Sequence, residues 1–128
     1  MILYVALGSA IGGAGRLLLG TLVQQRAGTM FPVGTLVINI TGSLLLGFIM
    51  RAALGTPSIS PEVRGFLTTG LCGGYTTFST FTFETMTMLE DGELMRASWY
   101  VGLSVVMSLL GVYLGSMAAR ELLALRQR

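Results

Sequence analysis

Apolar residues run along this chain in blocks too long for a soluble core. Three stretches carry no charge at all: Ala27 to Met50, Gly65 to Phe83, and Ala97 to Ala119. Each is close to the roughly 20 residues that a membrane-spanning helix needs. A fourth block, Met1 to about Gln25, is interrupted only by Arg16. The pattern predicts an all-α membrane protein with one four-helix domain over residues 1–128. The expected helices cover about 2–25, 31–53, 61–88 and 94–123, with a break in the third near 73–78. Ser60 before Pro61 is a good helix start, with serine as N-cap and proline at N1. The preceding link, roughly Arg51 to Pro61, also holds Gly55 and Pro57, and the acidic link Glu90-Asp91-Gly92-Glu93 precedes the fourth helix.

The third block is unlike the others. Thr68 to Glu84 reads TTGLCGGYTTFSTFTFE. Gly73-Gly74 weakens a helix, and the hydroxyls of Thr76, Thr77, Ser79 and Thr80 can take up freed backbone groups. Phe78 and Phe81 are spaced i, i+3 and share one face of a resumed helix. Phe83 lies about 200° round the helix from Phe81 and points elsewhere. Broken backbone at membrane depth is tolerated only when buried in protein or lining a watery cavity, so the stretch reads as a transport site. The plainer reading is a kinked helix whose small residues pack closely. A strand over Phe81–Glu84 fits the alternation but leaves its backbone unpaired in lipid.

Polar residues recur at helical spacing elsewhere. Thr35, Asn39 and Ser43 form one stripe on the second helix, and Asn39 either ties helices together or donates to an anion. Tyr100, Ser104, Ser108, Gly111 and Gly115 form one face of the fourth, either a small-residue packing face or part of a polar rail. Trp99 and Tyr100 lie where an interfacial aromatic belongs. Gly8 and Gly12 form a G-x-x-x-G pair, with Gly13 and Gly15 as further close-approach positions, and Gly111 and Gly115 form a second pair. Arg16 either snorkels to the nearer interface or draws anions to a pore mouth.

Composition narrows the function. Charged residues make up 11% of the chain, against about a quarter in a soluble domain. There is no histidine and no lysine, so every basic residue is arginine. The arginines are scattered, which predicts no nucleic-acid partner. Cys72 is alone, so no intrachain disulfide forms, and it reads as a small packing residue. The first block lacks a basic start and does not read as a signal peptide. Glu84 is the one acid well inside an apolar block, and a single carboxylate cannot perform paired acid/base work. An enzyme is not expected. The internal donors are neutral OH and NH₂ groups with one arginine, which suit an anion, and phenyl edges are weakly positive. Carbonyls freed at the break suit a cation instead. The residues alone stop at a pathway for a small ion, favouring an anion.

Four helices enclose a polar path poorly, so a homo-oligomer is the economical expectation. Arg51, Arg64, Arg120, Arg126 and Arg128 fall on one side, Arg26 and Arg96 on the other, with Arg16 nearby. Orientation follows such asymmetry, and this weak bias permits insertion both ways.

GGYTTFSTF in the third helix, GRLLLG after the glycine-rich first, and GTLVINITGS in the second resemble the Fluc (CrcB) fluoride channels across essentially the whole chain. The resemblance implies a passive, fluoride-selective channel exporting fluoride across the cell inner (plasma) membrane. It implies an antiparallel, dual-topology homodimer with two pores. Phe78 and Phe81 resemble the two phenylalanines whose edges line the path, and Asn39 the pore asparagine. Ser104 and Ser108 resemble polar-track hydroxyls, joined by Ser79, Thr80 and Tyr100. Gly73 and Thr76 resemble the residues whose carbonyls hold a central structural Na⁺. Arg16 resembles the family's first-helix arginine and Glu84 a vestibule carboxylate. Two alternatives differ in chemistry. A small drug-exporting antiporter needs a carboxylate in the first helix, where this chain has Arg16. A scaffolding subunit explains the glycine faces but not Asn39 with the phenylalanines.

Overall fold

The computed structural model describes residues 1–56 and 59–126; Pro57 and Arg128 lie outside the described residues. Helix α1 (Ile2–Ala27) ends at Gly28, whose left-handed φ of 58° lets its N–H reach the Gln24 carbonyl. Gln24 then fastens the link: its amide nitrogen donates to the Thr29 and Phe31 carbonyls, and its oxygen accepts from Gly34 N–H. Helix α2 (Val33–Leu54) follows. Ser60 caps α3 (Pro61–Gly65) by accepting from Val63 N–H at 3.3 Å, with Pro61 in the first turn. The helix widens to a π-helical stretch over Phe66–Cys72 and resumes as α4 (Gly73–Tyr75). Thr76 and Thr77 are extended, with ψ of 160° and 113°. Helix α5 (Phe78–Glu90) leads through Gly92 to α6 (Leu94–Arg126).

No strand occurs among the described residues, and Phe81–Glu84 is helical. Three helices are long and apolar enough to cross a membrane: Ile2–Ala27, Val33–Ala53 and Leu94–Leu125. The third apolar block is split by Thr76-Thr77 and is not one such helix. Its departure from helix differs in detail from expectation. Gly73 and Gly74 are themselves helical. Gly74 serves closeness instead: an added Cβ there would lie 2.6 Å from the Ser9 carbonyl oxygen.

Packing is built on such approaches. Gly8 and Gly12 press α1 against the backbone of Phe66, Leu71 and Tyr75, and Gly70 answers from the other side. Gly111 and Gly115 seat α6 on the α2 backbone at Ile40, Leu44 and Phe48, and Gly47 meets Val112. Gly13 departs from expectation, since nothing lies within 4 Å of its would-be Cβ. The buried apolar cluster is small: Phe81, Met88, Ala97 and Tyr100, with Phe31 and Leu36 against it. Meanwhile Ile2, Leu3, Leu17 and Leu18 of α1 and Leu109 of α6 are exposed. Apolar faces of this extent suit lipid rather than water, and the protein is a multi-pass membrane protein.

The packing makes a paired prediction. Gly12→Ala drives a methyl into the Leu71 carbonyl, an overpacking that costs about 1–3 kcal/mol. Gly102→Ala, with open space around it, should be neutral or mildly stabilising. Thermal unfolding in detergent, followed by loss of the folded elution peak, should separate the two. Equal midpoints would contradict the close contact of α1 with the third block.

Candidate functional site

An interruption in a helix frees backbone groups, and here side chains from two other helices take them up. Thr77 N–H donates to Asn39 Oδ1 at 2.8 Å, and Asn39 Nδ2 donates back to the Thr77 carbonyl at 3.0 Å. One amide side chain from α2 thus replaces both missing backbone partners of Thr77. Arg16 on α1 donates to the Thr76 carbonyl at 3.2 Å. Thr76 N–H still reaches the Cys72 carbonyl at 3.0 Å. Thr77 also caps α5, its hydroxyl accepting from Thr80 N–H at 3.2 Å. Asn39 is therefore a helix tie as well as a cavity residue, and Arg16 reaches protein backbone rather than only an interface.

Two cavities flank the interruption. The smaller groove, about 460 Å³, is lined by Asn39, Thr76, Phe78, Phe81, Ser104 and Ser108, with Gly73 and Thr77 also at its wall. The Phe78 and Phe81 rings lie 5.6 Å apart, tilted by 44°, as the i, i+3 spacing predicts. They differ in burial: Phe78 is 76% exposed and Phe81 only 9%. Ser104 is buried and its hydroxyl has no partner. None of the residues lining this groove is charged.

The larger cleft, about 970 Å³, holds Arg16, Thr35, Thr80, Phe83, Glu84 and Arg96, and it too reaches Thr77. Thr77 belongs to both cavities. The α2 stripe does likewise, with Thr35 in the cleft and Asn39 and Ser43 in the groove. Polar positions therefore line both sides of the break.

Glu84 is held by two hydroxyls. Thr35 Oγ1 donates to one carboxylate oxygen at 2.8 Å and Tyr100 to the other at 2.6 Å. Tyr100 is fully buried, its ring tilted by 53° against Phe81 at 5.2 Å and edge-on to Phe31 at 5.5 Å. The interfacial placement expected for Tyr100 is thus corrected: burial behind Phe81 lets its hydroxyl reach Glu84. Trp99 is exposed, as an interfacial ring is. Ser79 lines neither cavity; its hydroxyl lies 3.3 Å from that of Thr77.

The structure lines one groove with Asn39, Phe78, Phe81, Ser104, Ser108, Gly73 and Thr76, whereas sequence reasoning assigns Gly73 and Thr76 to a separate central cation site. That reasoning missed the centrality of Thr77, although a threonine two residues before Ser79-Thr80 carries an N-cap signal. It also missed the Thr35–Glu84–Tyr100 linkage, for which spacing carries no signal across three helices.

Removing the Asn39 tie should be costly. Asn39→Ala strands both backbone groups of Thr77, each worth about 1–3 kcal/mol when left unmade. The thermal midpoint in detergent should fall clearly below that of Ser43→Ala, a neighbour on the same stripe. A midpoint equal to that of Ser43→Ala would show that the tie contributes nothing.

Comparison with known proteins gives one consistent answer. The model of the family described as "CrcB-like protein, Camphor Resistance (CrcB)" matches residues 3–116. A Geobacter sulfurreducens protein named "Fluoride-specific ion channel FluC" is 50% identical over 121 residues, covering 94% of this chain and 98% of that protein. Proteins of the same name from Rhizobium meliloti and Opitutus terrae are 46% and 44% identical. The first match covers 89% of this chain and 91% of the relative; the second covers 97% and 96%. With a family model spanning most of its length and relatives matched nearly end to end, the chain belongs to the CrcB-like family.

Proposed function

We propose that this chain forms a passive, fluoride-selective ion channel that exports fluoride from the cytoplasm across the inner (plasma) membrane. The observation that carries this reading is the uncharged groove beside the broken helix. Its polar groups include the Asn39 amide and the Ser104 and Ser108 hydroxyls, and the Phe78 and Phe81 rings form part of its wall. Neutral donors and weakly positive ring edges favour an anion, yet no fixed positive charge traps it. The names of the relatives supply the ion. It is an ion channel, not an enzyme.

The working unit in this reading is an antiparallel, dual-topology homodimer. Thr41, Gly73, Ser79, Thr80 and Thr82 are exposed on the single chain, and polar groups at membrane depth need cover. A second copy supplies it. One groove per chain then makes two pores. Glu84, held by Thr35 and Tyr100, and Arg16 line the wide vestibule, from which Thr80 leads towards the phenylalanines.

A structural Na⁺ fits the break through backbone oxygens, the donor type a hard cation prefers. Turning Thr77 N–H to Asn39 leaves the Gly73 carbonyl without its i+4 donor. The Thr76 carbonyl accepts from Arg16 and keeps its second lone pair. Gly73 and Thr76 would hold the ion, which would supply positive charge and cross-link the two copies.

Fluoride efflux from liposomes carrying the purified protein, read with a fluoride electrode beside a chloride control, tests the channel. Rapid fluoride release without chloride release is expected. Release of neither ion from folded protein would overturn it. Phe78→Ile and Phe81→Ile should each cut fluoride flux at least about tenfold while the protein elutes unchanged, because ring edges are lost but most apolar volume stays. Undiminished flux in both would remove the aromatic edges from the path.

A further inference from the structure

Backbone groups at the interruption can be counted one by one. Thr76 N–H, Thr76 C=O, Thr77 N–H, Thr77 C=O and Thr80 N–H all have partners. The N–H groups of Phe78 and Ser79, the first two of α5, have no acceptor among the described residues. Helix starts leave such donors free, and water satisfies them in a soluble protein. Here they lie inside the third apolar block, at the positive end of a 13-residue helix.

A second observation points to a ligand in the same place. Ser104 is 7% exposed and its Oγ has no partner, and it lines the groove that Thr77 and Phe78 also line. Asn39 contributes there as well. Only one hydrogen of its NH₂ is used on Thr77, and the amide carries two. With no charged residue on the groove wall, the end of α5 is the electropositive feature of that wall.

We propose that the N-terminus of α5 is the anion-docking site. The Phe78 N–H, with that of Ser79 behind it, and the Ser104 hydroxyl donate to a partly dehydrated fluoride ion. The inference deepens the channel reading and rests on it. It explains why the interruption falls where it does. Asn39, Arg16 and Thr77 satisfy the groups of Thr76, Thr77 and Thr80 and leave the Phe78 and Ser79 donors free, so the break becomes a fixed set of donors. Their charges are partial, so they replace hydration without holding the ion permanently.

Amide-to-ester replacement tests this without touching a side chain. Full-length protein is made with the α-hydroxy analogue of phenylalanine at position 78, and separately that of serine at position 79. Each replacement turns the N–H into an ester oxygen. The expected result is a fluoride efflux at least about tenfold slower for the ester at position 78, with Ser104→Ala reduced in the same direction. Elution should stay unchanged and the thermal midpoint should fall less than in Asn39→Ala, because the lost N–H bonds no protein group and the Thr77 carbonyl, though weakened as an ester, still accepts from Asn39. If the ester at 78 does not fold, a slowed efflux for the ester at 79 carries the same support. Unmodified flux from a folded ester at 78, or from that at 79 when 78 fails, overturns the docking site and leaves the channel reading intact. Unmodified protein that releases no fluoride overturns both.

Discussion

Two residues out of helix inside an apolar block create the demand that the rest of the structure answers. Thr76 and Thr77 cannot offer their backbone groups to lipid. The Asn39 amide meets Thr77 twice and the Arg16 guanidinium meets Thr76 once. Without those bonds the break is unaffordable, and without the break there is no uncharged groove beside two phenylalanines. A single asparagine thus fixes the path of the third block and sits in the wall of the cavity that this path opens.

The glycine contacts follow from the same demand. Side chains reach Thr76 and Thr77 only if α1 and α2 come close. Gly8, Gly12 and Gly74 bring α1 against the third block, which sets Arg16 within reach of the Thr76 carbonyl. Gly47, Gly111 and Gly115 lock α2 to α6. That places the Asn39 side of α2 and the Ser104 side of α6 on one groove. On the far side of the break, Glu84 draws Thr35 and Tyr100 together. Tyr100 in turn backs the Phe81 ring. Small residues set the spacing, and polar residues then set the register.

Much of this was legible in the chain. Charge-free blocks mark apolar segments because lipid tolerates so little else. The i, i+4 stripes of α2 and α6 and the Phe78/Phe81 pair are local facts of helix geometry, and Asn39, Ser43, Ser104, Ser108 and both rings landed on the groove. What was not legible is tertiary. A Gly-Gly pair has two uses, flexibility and close approach. Only the presence of Ser9 against Gly74 decides for the second. The partner of Arg16 is 60 residues away, and the three members of the Glu84 cluster come from three helices. Tyr100 looks interfacial from its position beside Trp99, but helical rotation turns one ring outward and the other into the core.

The most direct measurement places a probe on the two rings themselves. Protein carrying para-fluorophenylalanine at position 78 or 81 would be studied in bilayers by ¹⁹F NMR during titration with fluoride and, separately, chloride. Saturable shifts of both ring signals with fluoride, and none with chloride, are predicted by an anion path beside the broken helix. Ring signals indifferent to fluoride, in protein that retains its fold, would contradict it.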